Sequence, residues 1–121
     1  MFGSLLIFDC KECKSINDKK ILQYYIDELI NIMNMKKIGN TTFEYFEPTE
    51  FNIEKDLVGY SITQIISMSS ITIHICEGSG SVYIDIFTCC SINDDIIFKI
   101  TNLINYVFNP TTINHKIIYR E

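Results

Sequence analysis

Residues 60–88 read YSITQIISMSSITIHICEGSGSVYIDIFT, and this stretch decides the fold class. It holds three runs rich in Ile, Val, Thr and aromatic residues, 60–67, 71–76 and 82–88, each with the composition and length of a β-strand. Gly78-Ser79-Gly80 joins the last two, and the polar cluster Ser67-Met68-Ser69-Ser70 reads as a tight turn between the first two. In the third run the two-residue period puts Val82, Ile84, Ile86 and Thr88 on one face. Tyr83, Asp85, Phe87 and Cys89 fall on the other, so Cys89 ends the strand at its rim.

Toward the N-terminus, residues 41–46 form a further strand that stops before Pro48, while 49–59 has no clean period and reads as a surface insertion. Ile21, Leu22, Tyr25, Ile26, Leu29, Ile32 and Met33 recur at steps of three and four, the mark of an amphipathic helix starting near Asp18. Ser15 or Asn17 can cap its start, and Gly39 suits its end. Residues 5–8 are a short buried strand. Toward the C-terminus, Asn93, Asp94 and Asp95 open a second helix carried by Ile96, Ile97, Ile100, Leu103, Ile104 and Val107 until Pro110 stops it. Residues 115–119 complete the pattern as an edge strand. The expected order is βαβββαβ, or the same with one more strand between the helices. Strands joined by hairpins, with two helices over one face of a mainly antiparallel sheet, make an α+β protein, a two-layer α/β sandwich.

The chain has 121 residues, 47% hydrophobic and 21% charged, which describes one domain spanning 1–121. At this length roughly two thirds of the unfolded surface is buried on folding, enough for a core without disulfides or a structural metal. Ten Lys and Arg against fifteen Asp and Glu give a net charge of -5, and no basic run offers neutralisation of phosphates, which argues against a nucleic-acid partner. The first apolar run breaks at Asp9, and no stretch approaches the roughly 20 residues that span a bilayer, so a cytoplasmic protein with no membrane partner is expected. Five cysteines, Cys10, Cys13, Cys76, Cys89 and Cys90, are an odd count that favours reduced thiols. Cys10 and Cys13 form a CxxC, but no second pair and no paired histidines accompany it, so no metal is expected. The remaining chemistry lies around the Ser67–Ser70 turn: Ser61 is eight residues before Ser69 and His74 five after it, so a hairpin is expected to gather two serines and a histidine at one end.

These residues carry a resemblance. Gly59-Tyr60-Ser61, Ser69, Ile73-His74 and Tyr83-Ile84-Asp85-Ile86-Phe87-Thr88-Cys89 resemble the core of the small prokaryotic-type S-adenosylmethionine decarboxylase proenzymes, with the serine, histidine and cysteine spacings in register. Gly3 to Cys13 and Thr42-Phe43 to Phe46 are similar to the family as well. The resemblance implies a pyruvoyl enzyme made by self-cleavage between Met68 and Ser69, with no metal and no added cofactor. Ser69 would attack the Met68 carbonyl to give an ester, Ser61 and His74 would stabilise or protonate the intermediate, and His74 would remove the α-proton of residue 69. β-Elimination and hydrolysis then leave a pyruvoyl group whose ketone can form a Schiff base with the substrate amine and accept electrons as carbon dioxide departs. Cys89 is the implied proton donor to the product. Phe46 is the candidate for stacking on the substrate and Glu77 a second binding candidate, one place out of the family's register.

The implied product is the decarboxylated aminopropyl donor for spermidine synthesis, made by a homodimer. The chain departs from the family pattern at Met68 and Ser70, which flank the cleaved serine, at Cys76-Glu77, and in a longer loop between Pro48 and Ser61. Two rival expectations follow. One is an uncleaved, non-catalytic relative that regulates an active partner. The other is a pyruvoyl decarboxylase of another amino acid such as ornithine or arginine.

Overall fold

A computed structural model describes residues 3–14, 17–47 and 58–121. Eight elements follow one another: β1 (Ser4–Lys11), α1 (Lys19–Ile32), β2 (Lys37–Phe46), β3 (Gly59–Ile66), β4 (Ser69–Cys76), β5 (Ser81–Thr88), α2 (Asp94–Phe108) and β6 (Thr112–Tyr119). Four strands thus separate the helices, the longer of the two expected orders. The strands form one antiparallel sheet in the order β2-β3-β4-β5-β1-β6, so the chain's first strand lies between β5 and β6.

Alternation explains which face is covered. The buried alternating set toward the helices is Ser4, Leu6, Phe8 and Cys10 on β1, Ser69, Ile71, Ile73 and Ile75 on β4, and Val82, Ile84, Ile86 and Thr88 on β5, where Ser81 is buried as well. These side chains meet Leu22, Tyr25, Ile26 and Leu29 of α1 and Ile100, Ile104 and Phe108 of α2 in one core. Burial of each large aliphatic or aromatic side chain contributes about 1.5–3 kcal/mol. Tyr25 and Phe108 meet edge to face, with ring centroids 4.9 Å apart. Complete burial pushes the Tyr25 phenol well above its ordinary range.

Local chemistry sets the ends of the elements. Asp18, rather than Ser15 or Asn17, caps α1 by accepting from the Lys20 N–H at 2.8 Å; Ser15 lies outside the described residues. Asn93 caps α2 by accepting from the Ile96 N–H at 2.9 Å, and Asp94 and Asp95 suit the positive end of its dipole. The helix α1 ends at Met33, where Asn34 takes the left-handed conformation. Gly39 is therefore not its cap: it lies inside β2, where its positive φ coincides with a register shift between Ile38 and Thr42. The buried amide of Gln64 stitches that shift, donating to the carbonyls of Ile38, Gly39 and Ile65 and accepting from the Thr41 hydroxyl. The expected insertion at 49–59 falls outside the described residues, apart from Val58 and Gly59.

Candidate active site

The helices leave one face of the sheet open, and the register writes that face out row by row. At one end the row runs Glu44, Ser61, His74, Tyr83, Asp9, Asn114 from β2 to β6, polar throughout. Four residues away along β3, β4, β5, β1 and β6, a second row runs Ile38, Ile65, Ser70, Phe87, Leu5, Ile118, apolar but for one serine. Ile38 and Ile65 are 54% and 56% exposed, values that are high for apolar side chains on a sheet.

The polar row contains half of the expected chemistry. Ser61 and His74 are direct cross-strand partners, and Ser61 Oγ lies 2.9 Å from His74 Nδ1. Tyr83 flanks His74 on the other side. Lys11 Nζ donates to Tyr83 Oη at 2.5 Å and lies 4.4 Å from the ring centroid. This hydrogen bond, ahead of any other influence, holds the lysine pKa above its ordinary value. Tyr83 and Lys11 were not among the expected site residues, because only the β4–β5 and β5–β1 registers bring them to His74.

The other half lies at the β3–β4 turn. Ser67 and Met68 form that turn, and Met68 takes φ +54, a left-handed conformation that costs a side-chain-bearing residue about 1–2 kcal/mol. Met68 is 82% exposed, whereas Ser69, the first residue of β4, is 6% exposed on the helix-facing side. Its Oγ has no hydrogen-bond partner. Cys89, just past β5, donates its thiol to the Met68 carbonyl at 3.3 Å. The next amide, Cys90 N–H, is held by Thr88 Oγ1 at 3.0 Å.

The hairpin does not gather Ser61, Ser69 and His74 at one end. Ser69 pairs with Ile66, five positions along the ladder from the Ser61–His74 pair, a separation of roughly 16 Å at 3.3 Å per residue. The two also project to opposite faces. Ser61 lies six residues before Ser67 and His74 six after Met68, so a turn at 67–68 pairs them with each other and leaves both far from Ser69.

The two binding candidates share the polar end. Phe46 pairs with Gly59 and lies by alternation on the face of Ser61. Glu77 follows β4, and its Oε2 accepts from Tyr45 Oη at 2.9 Å while Oε1 is buried without a hydrogen-bond partner. That bond pushes the Tyr45 phenol above its ordinary range. Tyr45 belongs to a ladder with Tyr60 and Phe43, at centroid distances of 4.9 and 6.2 Å, on the side opposite Phe46.

Of the CxxC pair, Cys10 is buried beneath α1, and Cys13 is half-buried with its N–H on the Gly80 carbonyl. Burial pushes their thiols up to about 12 and about 11. Among the described residues no three His, Cys, Asp or Glu side chains are grouped to hold a metal. None of the described helices is long and apolar enough to cross a membrane. A groove of about 540 Å³ lined by Lys20, Ile21, Tyr24, Tyr106 and Val107 lies between the helices, and none of the residues above line it.

The family model of S-adenosylmethionine decarboxylase matches residues 4–121. No curated relative matches the sequence. Among solved structures, the adenosylmethionine decarboxylase from Aquifex aeolicus VF5 is similar, with a TM-score of 0.74 at 17% identity over 98% of this chain and 90% of the other. At that identity the likeness establishes the fold: the six-stranded antiparallel sheet with two helices on one face, an α+β sandwich. The family match extends from the first strand to the last residue and takes in both halves of the site, and by it this chain belongs to the S-adenosylmethionine decarboxylase family.

Proposed function

We propose that this chain is one self-processing domain, cut between Met68 and Ser69, that decarboxylates S-adenosylmethionine to the aminopropyl donor for spermidine synthesis in the cytoplasm. The observation that carries the reading is the buried, unpartnered Ser69 hydroxyl next to a strained Met68 whose carbonyl already accepts the Cys89 thiol. A buried hydroxyl without a partner costs about 1–3 kcal/mol, a cost that Ser4 and Tyr25 also carry; what singles Ser69 out is its place beside the Met68 carbonyl. Attack of Ser69 Oγ on the Met68 carbonyl carbon develops negative charge on the oxygen that faces the thiol, where a preset donor is most effective. The conversion of Met68 to an ester carbonyl also releases the turn from its left-handed constraint.

The pyruvoyl group would be made from residue 69's own atoms, so it needs no separate cradle, and the unsatisfied Ser69 hydroxyl fits that origin. Once formed, it supplies the electron sink for loss of carbon dioxide. Cys89 at the same turn holds the proton for the product. Ser61 and His74 provide acid–base chemistry for the cut, and the roughly 16 Å between them and Ser69 within one chain argues that they come from a second copy.

A homodimer accommodates this requirement. Two open faces stacked with their rows reversed lay the Ser61–His74 row of one copy over the β3–β4 turn and Cys89 of the other and cover Phe87, Leu5 and Ile65, with Ser69 Oγ itself on the helix-facing side of that sheet. Phe46 then offers a π face to the substrate's adenine or sulfonium. Glu77 contributes through Oε1, since Tyr45 occupies Oε2.

Intact-mass spectrometry under denaturing conditions tests the reading. The wild-type chain is expected as two fragments, 1–68 and 69–121, the second blocked at its N-terminus, and Ser69→Ala as one intact chain. Cys89→Ala is expected to cut within about tenfold of the wild-type rate, the worth of one hydrogen bond, yet fail to turn over. A wild-type chain that stays whole points to the non-catalytic relative. Fragments that decarboxylate ornithine or arginine but not S-adenosylmethionine point to the other rival.

A further inference from the structure

An exposed histidine on an open sheet ordinarily samples several rotamers. His74 has a fixed neighbour on each side. On the β3 side Ser61 Oγ holds Nδ1 at 2.9 Å. On the β5 side stands Tyr83, its direct cross-strand partner, and such partners have Cβ atoms about 4.5–5.5 Å apart. Tyr83 is itself tethered: Lys11 Nζ donates to its Oη at 2.5 Å and lies 4.4 Å from the ring centroid. Lys11 also reaches Ser81 Oγ at 3.5 Å, and Ser81 accepts from Ser79 at 3.1 Å. Charge-assisted hydrogen bonds of this kind are about twice as strong as neutral ones, so the ring is held from the β1 side, away from His74.

We propose that Tyr83, tethered by Lys11, is a positioning residue that confines the His74 imidazole against Ser61. With Tyr83 tethered on the β5 side, the neighbouring strand position toward which the imidazole would turn on leaving Ser61 is occupied. Nδ1 stays committed to the serine, and Nε2 remains the nitrogen available for proton transfer. The inference rests on His74 as the acid–base group of the proposed processing reaction, but its test does not depend on cleavage.

The test reads the ring nitrogens by ¹⁵N NMR in full-length chains carrying Ser69→Ala, which stay whole by design. The sequence has two histidines, His74 and His115, and His115→Gln separates their signals. One tautomer of His74 is expected to dominate. Tyr83→Ala and Lys11→Met are each expected to shift its tautomer ratio by about two- to tenfold, the factor one hydrogen bond is worth. Lys11→Arg is expected to restore it, and Ser61→Ala combined with Tyr83→Ala to add little beyond Ser61→Ala alone. A His74 ratio unmoved by Tyr83→Ala and Lys11→Met, while Ser61→Ala moves it, overturns the proposal. So does an equal change at His115, which stacks on Phe8 and would register a general loosening. If the wild-type chain is never cut, the proposed activity falls and this result stands by itself.

Discussion

Mixing two inactive variants tests whether one catalytic centre draws on two chains. Ser69→Ala removes the proposed nucleophile and His74→Ala the proposed acid–base group, and each alone is expected to remain uncut. Ser61 and His74 stand five ladder positions from Ser69, roughly 16 Å, several times the reach of a hydrogen bond. In a two-fold pair of one chain of each kind, one centre combines the intact Ser69 of the His74→Ala chain with the intact His74 of the Ser69→Ala chain. The other centre lacks both. With equal coexpression and random pairing, each His74→Ala chain meets a Ser69→Ala partner with even odds, so about half of the His74→Ala chains are cut and none of the others. Distinguishable tags and intact mass give the fractions directly. Cutting of His74→Ala chains expressed alone would refute the reasoning. So would a mixture that stays whole under conditions where the wild type is cut.

Three further outcomes follow from the geometry. Gly59 has φ +146, and a Cβ there would collide with the Ile75 carbonyl oxygen, so Gly59→Ala is expected to lose at least about 3 kcal/mol in urea denaturation; a loss below about 1 kcal/mol contradicts the close approach. Met68→Gly, in a Ser69→Ala chain, removes a left-handed side chain and is expected to gain about 0.5–1 kcal/mol; in the wild-type background it slows the cut, and a faster cut removes strain from the mechanism. Burial raises the Cys10 thiol from 9.0 to about 12, so the folded state keeps a proton that the unfolded state loses. Stability is therefore full below pH 9.0 and falls toward about 12, by at most about 1.4 kcal/mol per pH unit from this thiol. Melting curves of the wild type and Cys10→Ala between pH 8 and 11 should converge as the pH rises.

The sequence made the strands and helices legible where side-chain period carried the signal. The alternation of Val82, Ile84, Ile86 and Thr88 is the buried face of β5, and the three- and four-residue steps from Leu22 to Leu29 are the buried stripe of α1. The match of Ser61, Ser69, His74 and Cys89 to a known pattern identified the family that the comparison over 4–121 bears out. Register was not legible. Whether His74 faces Ser61 or Ser69 depends on a turn of two residues at 67–68, and a turn of that length cannot be fixed from a run of four polar residues. Gly39 misled for a related reason: positive φ serves a helix end and a shifted strand equally, and the choice was made by Gln64, whose amide holds the shift from the neighbouring strand. The tether of Tyr83 by Lys11 lies between residues 72 positions apart and has no local signature.

The position of β1 in the sheet has a consequence for the fate of a cut chain. A break between Met68 and Ser69 leaves β1, β2 and β3 on one piece and β4, β5 and β6 on the other. Because β1 lies between β5 and β6, the first piece is threaded into the second and also borders it along β3 and β4. Separation would require three ladders to be undone at once, those of β3 with β4, β5 with β1, and β1 with β6. The pieces behave as interlaced fingers, and loss of the covalent link leaves the shape of the protein to hydrogen bonds that were never part of the turn.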